Sequence, residues 1–188
     1  MKTFGLKSTL IFLSTTAFFS MSPAIYAASA SGNLNVSATV AANCRFPSAN
    51  TLAFGNYDPT AASDTLVTGT MSVRCSKNST VTSIAVDNGA NPSGTQRRMT
   101  GAGATPDFLN YTIFQPNGAM FGASPNAGTC PGSTAWGTGT AALTFDATTG
   151  NFASTTTSII NICGVIPQSQ DIQPDTYSDV VMLTLEFN

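Results

Sequence analysis

The sequence predicts an all-β protein, an antiparallel β-sandwich secured by disulfides, and three observations support this fold class. Short runs of β-branched, aromatic and aliphatic residues recur along the chain, each bounded by Gly, Pro, Asn or Asp. No long stretch of strong helix formers lies between them. Four cysteines follow an N-terminal export signal, and this order favours a disulfide-bonded domain outside the cytoplasm.

The composition excludes several classes of function. The 188 residues include no histidine, seven Lys plus Arg and nine Asp plus Glu, for a net charge of −2. A His-based triad, a His metal site and a basic nucleic-acid surface are therefore excluded. The acidic residues are scattered singly and form no carboxylate pair of the kind a glycosidase uses. We expect no enzymatic activity, no cofactor, no metal and no nucleic-acid partner.

Residues 1–27 have the features of a secretory signal. Lys2 and Lys7 give it a positive start, and residues 10–19 form an apolar stretch that is too short to span a bilayer. Pro23 precedes the cleavage site that we place after Ala27. Removal of 27 from 188 residues would leave 161, with five basic and nine acidic side chains.

The next segment, residues 28–42, carries a strand pattern. Its apolar residues Leu34, Val36, Ala38 and Val40 alternate with Asn, Ser and Thr. Period-2 alternation is typical of a strand with one buried face. This strand folds either into its own domain or into another molecule's.

The four cysteines, Cys44, Cys75, Cys130 and Cys163, are expected to form disulfides. The compartment is oxidising, no pair has CxxC spacing, and no histidine is present to activate a thiol. Four cysteines allow three pairings. Pairing of nearest neighbours would close two loops of about 30 residues, each worth roughly 3–4 kcal/mol on the loop-entropy model.

The remaining strands are expected in short runs bounded by turn residues. Five of these runs are central and the sixth ends the chain: 71–75, 80–87, 108–114, 141–145, 158–166 and 180–187. In the last run Val181, Leu183, Leu185 and Phe187 form one alternating face. An immunoglobulin-like sandwich needs about seven strands. The six runs therefore leave the front strand to complete either this domain or another molecule's.

Several ordered motifs along the mature chain resemble those of spore coat protein U domains, the fold used by subunits of archaic, Csu-type chaperone-usher pili. The motifs are Asn43-Cys44, Phe54-Gly55-Asn56-Tyr57-Asp58-Pro59, Met71-Ser72-Val73-Arg74-Cys75-Ser76, Arg97-Arg98-Met99-Thr100, Leu109-Asn110-Tyr111-Thr112-Ile113-Phe114, Trp136-Gly137-Thr138-Gly139, Cys163-Gly164-Val165-Ile166-Pro167-Gln168 and Pro174-Asp175-Thr176-Tyr177-Ser178-Asp179. The resemblance spans the mature chain.

The resemblance implies an incomplete immunoglobulin-like domain of residues 43–188, preceded by a donor strand within residues 28–42. Leu34, Val36, Ala38 and Val40 would be the donor residues, and Val181, Leu183, Leu185 and Phe187 would form the edge of a hydrophobic groove. A periplasmic chaperone would fill the groove before the next subunit's donor strand does so. The implied partners are this chaperone, an outer-membrane usher and neighbouring subunits, and the implied location is a surface pilus reached through the periplasm.

The implied function is that of a structural pilus subunit supporting attachment and biofilm formation. Four cysteines, against the single pair expected of a main shaft subunit, favour a minor subunit. Two alternatives stay open: a free-standing secreted sandwich, and a carbohydrate-binding tip module. The single predicted domain disfavours the tip module.

A few other residues have two possible roles. Arg97 and Arg98 are expected to be solvated on a loop rather than to bind an acidic surface. Trp136 is expected to be a buried structural residue rather than a sugar-stacking platform. Asp171, Asp175 and Asp179 recur every four residues, but Pro174 argues against a helix that would gather them around calcium.

Overall fold

The computed structural model describes residues 26–48, 50–122 and 124–188. It divides the chain into two units, residues 1–38 and 39–188. The described part of the first unit, residues 26–38, has no regular secondary structure and is exposed. The proposed signal peptide lies outside the described residues, apart from Tyr26 and Ala27. Across the described ranges, no helix is long and apolar enough to cross a membrane.

The described part of the second unit is built almost entirely of β-strands. In chain order they are β1 (Cys44–Arg45), β2 (Thr65–Cys75), β3 (Val81–Val86), β4 (Arg97–Gly101), β5 (Phe108–Phe114), β6 (Leu143–Thr144), β7 (Thr157–Ile166), β8 (Tyr177–Ser178) and β9 (Leu183–Phe187). A short 3₁₀ turn, Gly139–Ala141, precedes β6.

The strands form two antiparallel sheets. One has the order β1-β2-β7-β5-β4-β8, and the other has the order β6-β3-β9. The long β2–β7 pair is the centre of the first sheet and runs in register from Thr65 opposite Ile166 to Arg74 opposite Thr157. This architecture confirms the predicted all-β sandwich.

The core lies between the two sheets because each long strand turns alternate residues inward. In β2 the inner residues include Met71 and Val73, and in β7 they include Ile160 and Ile166. Trp136 and Phe152, from loops, are among the largest side chains that are fully buried with them. Burial of apolar surface is the dominant favourable contribution to folding, and these inward side chains provide it here.

The alternating segment at the front of the chain, residues 33–40, was expected to form a strand in its own domain or in another molecule's. Residues 33–40 form no strand in the structure, and Leu34, Val36 and Val40 are 86%, 85% and 87% exposed. A strand needs a ladder partner to satisfy its backbone groups, and residues 33–40 belong to none of the strands described.

Other differences concern the ends of strands and one loop. The run 180–187 becomes a strand only from Leu183, and the run 141–145 shrinks to the two residues of β6. β2 begins six residues before the predicted run, at Thr65. Residues 97–101, expected to be a loop, form β4 because they pair with β5.

Candidate binding groove at the edge of β9

β9 is an edge strand whose outer backbone groups have no partner strand among the described residues. It pairs only with β3. The Met182 carbonyl accepts from the Asp87 N–H at 3.1 Å, and Asn188 exchanges two backbone bonds with Thr80 at 2.9 and 3.0 Å. Backbone groups alternate in direction along a strand, so those of Leu183 and the alternate residues after it point away from β3. This edge is a template for an added strand.

The side chains of β9 and the residues before it also alternate. Val181, Leu183 and Leu185 are half-buried and pack against the core, whereas Val180 and Met182 point to solvent. The predicted alternation is thus present in the structure. The apolar face of this segment is turned toward the interior of the sandwich.

A groove of about 840 Å³ opens beside Val181 and Leu183. Its floor is the inner face of the six-stranded sheet, and most of the floor side chains belong to the buried core. The floor residues are Met71, Met99, Leu109, Tyr111, Ile113, Ile162 and Ile166. Leu185 and Phe187, which were predicted to share the groove edge, are not among the lining residues, and Phe187 is exposed.

One wall of the groove is formed by residues 50–57, which we call the 50–57 segment. Its Leu52 and Phe54 side chains lie over glycines of the inner face. A Cβ atom at Gly164 would lie 2.7 Å from Phe54 Cζ and 2.9 Å from Leu52 Cδ2. A Cβ at Gly69 would lie 2.9 Å from Leu52 Cδ1. The two glycines therefore provide the space that this wall occupies.

The 50–57 segment is fastened at both ends by side-chain hydrogen bonds. At one end the Ser72 N–H donates to Asn50 Oδ1 at 3.2 Å. At the other, the Tyr57 hydroxyl donates to the Pro167 carbonyl at 2.9 Å. The wall therefore has few of the sheet's ladder bonds and is held by these fastenings and by apolar packing.

The opposite side of the groove is lined by residues 172–179, which lead through β8 toward β9. The Tyr177 hydroxyl donates to the Gln173 carbonyl at 2.8 Å, and Ile172 packs against the core. The groove thus lies beside the start of β9, between the 50–57 segment and residues 172–179, with apolar side chains beneath it. Its shape and lining suit an extended apolar segment.

The disulfide expectation is confirmed, and the pairing is that of nearest neighbours. Cys44 is bonded to Cys75, its partner in the β1–β2 register, and Cys130 is bonded to Cys163 on β7. The first bridge anchors the chain just after the exposed N-terminal segment. The second ties the long loop after β5 to the central strand.

Arg97 was expected to be solvated on a loop, and this expectation is wrong. Arg97 is 5% exposed and lies on the inner face of β4. Its guanidinium donates to the carbonyls of Val86, Asp87 and Trp136 at 2.9, 2.7 and 2.6 Å, so its burial is compensated by hydrogen bonds. The alternation of Arg97 with Met99 and Gly101 was the only sequence signal for this position.

Arg98 points to the other side of β4 and is half-buried. Its guanidinium carbon lies 4.2 Å from the Phe108 ring centroid, and its Nε donates to the Asn91 carbonyl at 3.0 Å. Trp136 is buried as expected, and its indole N–H donates to the Ile84 carbonyl at 2.7 Å. Within the described ranges, no group of three or more Cys, Asp or Glu side chains could hold a metal ion.

Comparison with known proteins gives three findings. The family model described as Spore Coat Protein U domain matches residues 30–184. "Protein U" of Myxococcus xanthus is 29% identical over 175 residues, covering 86% of this chain and 87% of the relative. A chain of the CsuC-CsuE chaperone-tip adhesion subunit pre-assembly complex from archaic chaperone-usher Csu pili of Acinetobacter baumannii is 23% identical, with a TM-score of 0.49. The match covers 79% of this chain but only 41% of that one.

The family match extends from the exposed N-terminal segment to the first residues of β9, and so includes the groove walls and both disulfides. On this match, the chain belongs to the Spore Coat Protein U domain family.

Proposed function

We propose that the chain is a non-catalytic structural subunit of a pilus assembled by the archaic chaperone-usher pathway, and that its groove accepts an extended strand from another molecule. The observation that carries this proposal is the open edge of β9 above an apolar groove. An edge of this kind is a liability unless it is covered. Covering it with a strand satisfies the backbone groups and buries the half-buried apolar side chains along the groove, such as Val181 and Leu183, in one step.

The donor that we assign is the exposed N-terminal segment of a neighbouring subunit. Leu34, Val36, Ala38 and Val40 lie at every second position and span six residue steps, about 20 Å of extended chain. The alternating apolar residues from Val181 to Phe187 span the same number of steps. Burying the four donor side chains would contribute on the order of 5–8 kcal/mol from apolar area alone.

Before assembly, a periplasmic chaperone would occupy the groove, and an outer-membrane usher would then mediate exchange for the donor strand. The subunit would pass through the periplasm to a pilus at the cell surface, where it supports attachment and biofilm formation. Four cysteines support a minor rather than a main shaft position. The low content of large aliphatic residues and Phe, 31 of the 161 residues after position 27, is what a domain completed by another chain would show.

The test is periplasmic co-expression of the full chain with a chaperone from a pilus gene cluster of the same genome. The proposal expects a stable one-to-one pair, and aggregation or degradation of the chain when the chaperone is omitted. A well-behaved monomer of residues 28–188 obtained without any chaperone would support the free-standing secreted domain instead. Binding of that monomer to an immobilised glycan would support the carbohydrate-binding alternative.

A further inference from the structure

A partly buried polar network joins the two sheets at the end of the groove. Arg97 and Tyr111 are direct cross-strand partners in the β4–β5 ladder, and both side chains are on its inner face. From there the Arg97 guanidinium reaches across the sandwich to the end of β3, where the carbonyls of Val86 and Asp87 accept from it. Arg97 therefore links the six-stranded sheet to the end of β3 in the three-stranded sheet.

The second half of the network holds the chain just before β9. The Tyr111 hydroxyl donates to Asp179 Oδ2 at 2.6 Å. The other carboxylate oxygen, Asp179 Oδ1, accepts from the Ala90 N–H at 2.8 Å and from the Val180 N–H at 2.9 Å. A single carboxylate thus joins Tyr111 on the groove floor, Ala90 in the loop after β3, and the chain just before β9. We call residues 180–182 of this chain the Val181 wall of the groove.

Asp87, which directly follows β3, also holds the chain just before β9. Its Oδ1 accepts from the Met182 N–H at 2.9 Å and from the Gly89 N–H at 2.9 Å. Gly89 has a φ of +79°, and a Cβ atom there would collide with the Asp179 carboxylate. Glycine at this position therefore leaves room for the Asp179 carboxylate, which binds the Val180 N–H while the Asp87 carboxylate binds the Met182 N–H.

The residue between these two anchors is Val181. Its neighbours on both sides have their N–H groups bound to carboxylates, and its own side chain lines the groove. Every polar side-chain atom buried within the described ranges has a partner. The network is therefore fully satisfied, and such networks specify one arrangement of the groups they join.

The pKa values of Arg97 and Tyr111 reflect their burial in this network. Burial lowers the pKa of the Arg97 guanidinium, while the Asp87 and Asp179 carboxylates oppose that change. Burial of Tyr111, together with its hydrogen bond to Asp179, raises the pKa of its phenol. Because all the hydrogen bonds that Arg97 makes go to backbone carbonyls, the cation acts as a cross-brace between segments.

We propose that Arg97, Tyr111, Asp87 and Asp179 are positioning residues that hold the Val181 wall of the groove in the geometry required for strand binding. This inference rests on the proposed function, since it assumes that the groove accepts a strand. The hydrogen bonds of such a network largely offset the cost of taking its polar groups out of water, so its net contribution to stability is small. Its contribution here is a groove that is shaped before the strand arrives, which slows dissociation of the bound strand.

The test compares Asp179→Ala with Asp146→Ala as a matched control. Asp146 also accepts backbone N–H bonds, from Thr148 and Thr149 at 2.8 and 2.7 Å, but it lies in a turn that does not line the groove. The probe is a fluorescent synthetic peptide of residues 31–42. It is loaded onto the full chain by displacement of the co-expressed chaperone, and its dissociation rate is measured together with the melting temperature of each variant. Every chain in this test carries Val36→Asp, so that its own donor segment does not compete with the peptide, and the chain with this change alone serves as wild type.

The inference expects D179A to raise the peptide dissociation rate about tenfold over wild type, and D146A to leave the rate within about twofold for a similar change in melting temperature. Equal dissociation rates for D179A and D146A would overturn the inference and leave the proposed function intact. A wild-type chain that releases the chaperone but binds no peptide would overturn both. If D179A does not fold, Tyr111→Phe removes only the hydroxyl, and it must raise the rate by about threefold or more for the inference to stand.

Discussion

Asp87 and Met182 are joined in both directions where β9 begins. The Asp87 N–H donates to the Met182 carbonyl at 3.1 Å, and the Met182 N–H donates to the Asp87 carboxylate at 2.9 Å. The carboxylate thus replaces the backbone acceptor that a continued β3 would supply. As a result, the chain at Met182 is held to the three-stranded sheet one residue beyond the end of the β3–β9 ladder. The edge of β9 that faces away from β3 stays available.

Charge placed on the donor face should block assembly. Val36→Asp would bring a carboxylate into the apolar groove, with a loss of about 2 kcal/mol of apolar burial and a further desolvation cost. We expect polymerisation of the mature chain, measured by gel filtration and electron microscopy, to slow by at least about thirtyfold. Asn35→Asp adds the same charge on the opposite face of the strand and should polymerise normally. Equal loss in both variants would contradict the assignment of the donor face.

Crowding the glycine beneath the 50–57 segment should loosen one wall of the groove. Gly164→Ala places a methyl group against the ends of the Phe54 and Leu52 side chains, which can yield by moving outward. The expected cost is about 1 kcal/mol of unfolding free energy, with faster proteolysis within residues 50–57. Gly32→Ala, where no atom lies within 4 Å, is the control and should change neither. Unchanged proteolysis in G164A would show that the packing is not what holds this wall.

The raised pKa of Tyr111 predicts a specific loss of stability in alkali. Its folded pKa lies above the ordinary value of 10.0, chiefly through burial, so the neutral phenol stabilises the fold below pH 10. Above pH 10 the unfolded chain loses the proton first, and this contribution declines as pH rises. Urea unfolding between pH 8 and 11 should therefore show a smaller decline for Tyr111→Phe than for wild type. Tyr177, whose pKa is also raised, leaves part of the decline in place; identical slopes would contradict the prediction.

Loss of the Cys130–Cys163 disulfide should destabilise the domain strongly. The Cys130–Cys163 bridge closes a loop with a sequence separation of 33 residues. The loop-entropy model assigns it about 4 kcal/mol. A Cys130→Ala, Cys163→Ala double variant should show this loss in denaturant titrations. A loss below about 1 kcal/mol would mean that the loop after β5 is held by its other contacts.

The sequence predicted the sandwich and its interior strands because a short run of β-branched, aromatic or aliphatic residues between turn residues is a local signal. The runs 71–75 and 158–166 lie within β2 and β7 of the structure. The two-residue strands β1 and β8 carry too few residues for any pattern. Arg97 was misplaced because charge in a short run is typical of a loop, while the three carbonyls that satisfy it come from distant parts of the chain.

The groove was predictable only in part. Val181 and Leu183 were expected at its edge from the family resemblance, and both are among the residues that line it. The wall of residues 50–57 was not predicted, since it depends on the absence of side chains at Gly69 and Gly164 on two other strands. Spatial complementarity between a segment and two distant glycines leaves no periodic signal in a single sequence.

The most direct test of the account is a chain in which the donor segment is moved. Residues 33–42 are removed from the front and joined after Asn188 through a short hairpin linker, so that the strand can pair with β9 of the same molecule. The account predicts a soluble monomer that melts at least about 10 °C above the chain that merely lacks residues 33–42. The same rearranged chain carrying Val36→Asp should lose this gain. A melting temperature equal to that of the truncated chain, without any dependence on Val36, would contradict strand acceptance by the groove.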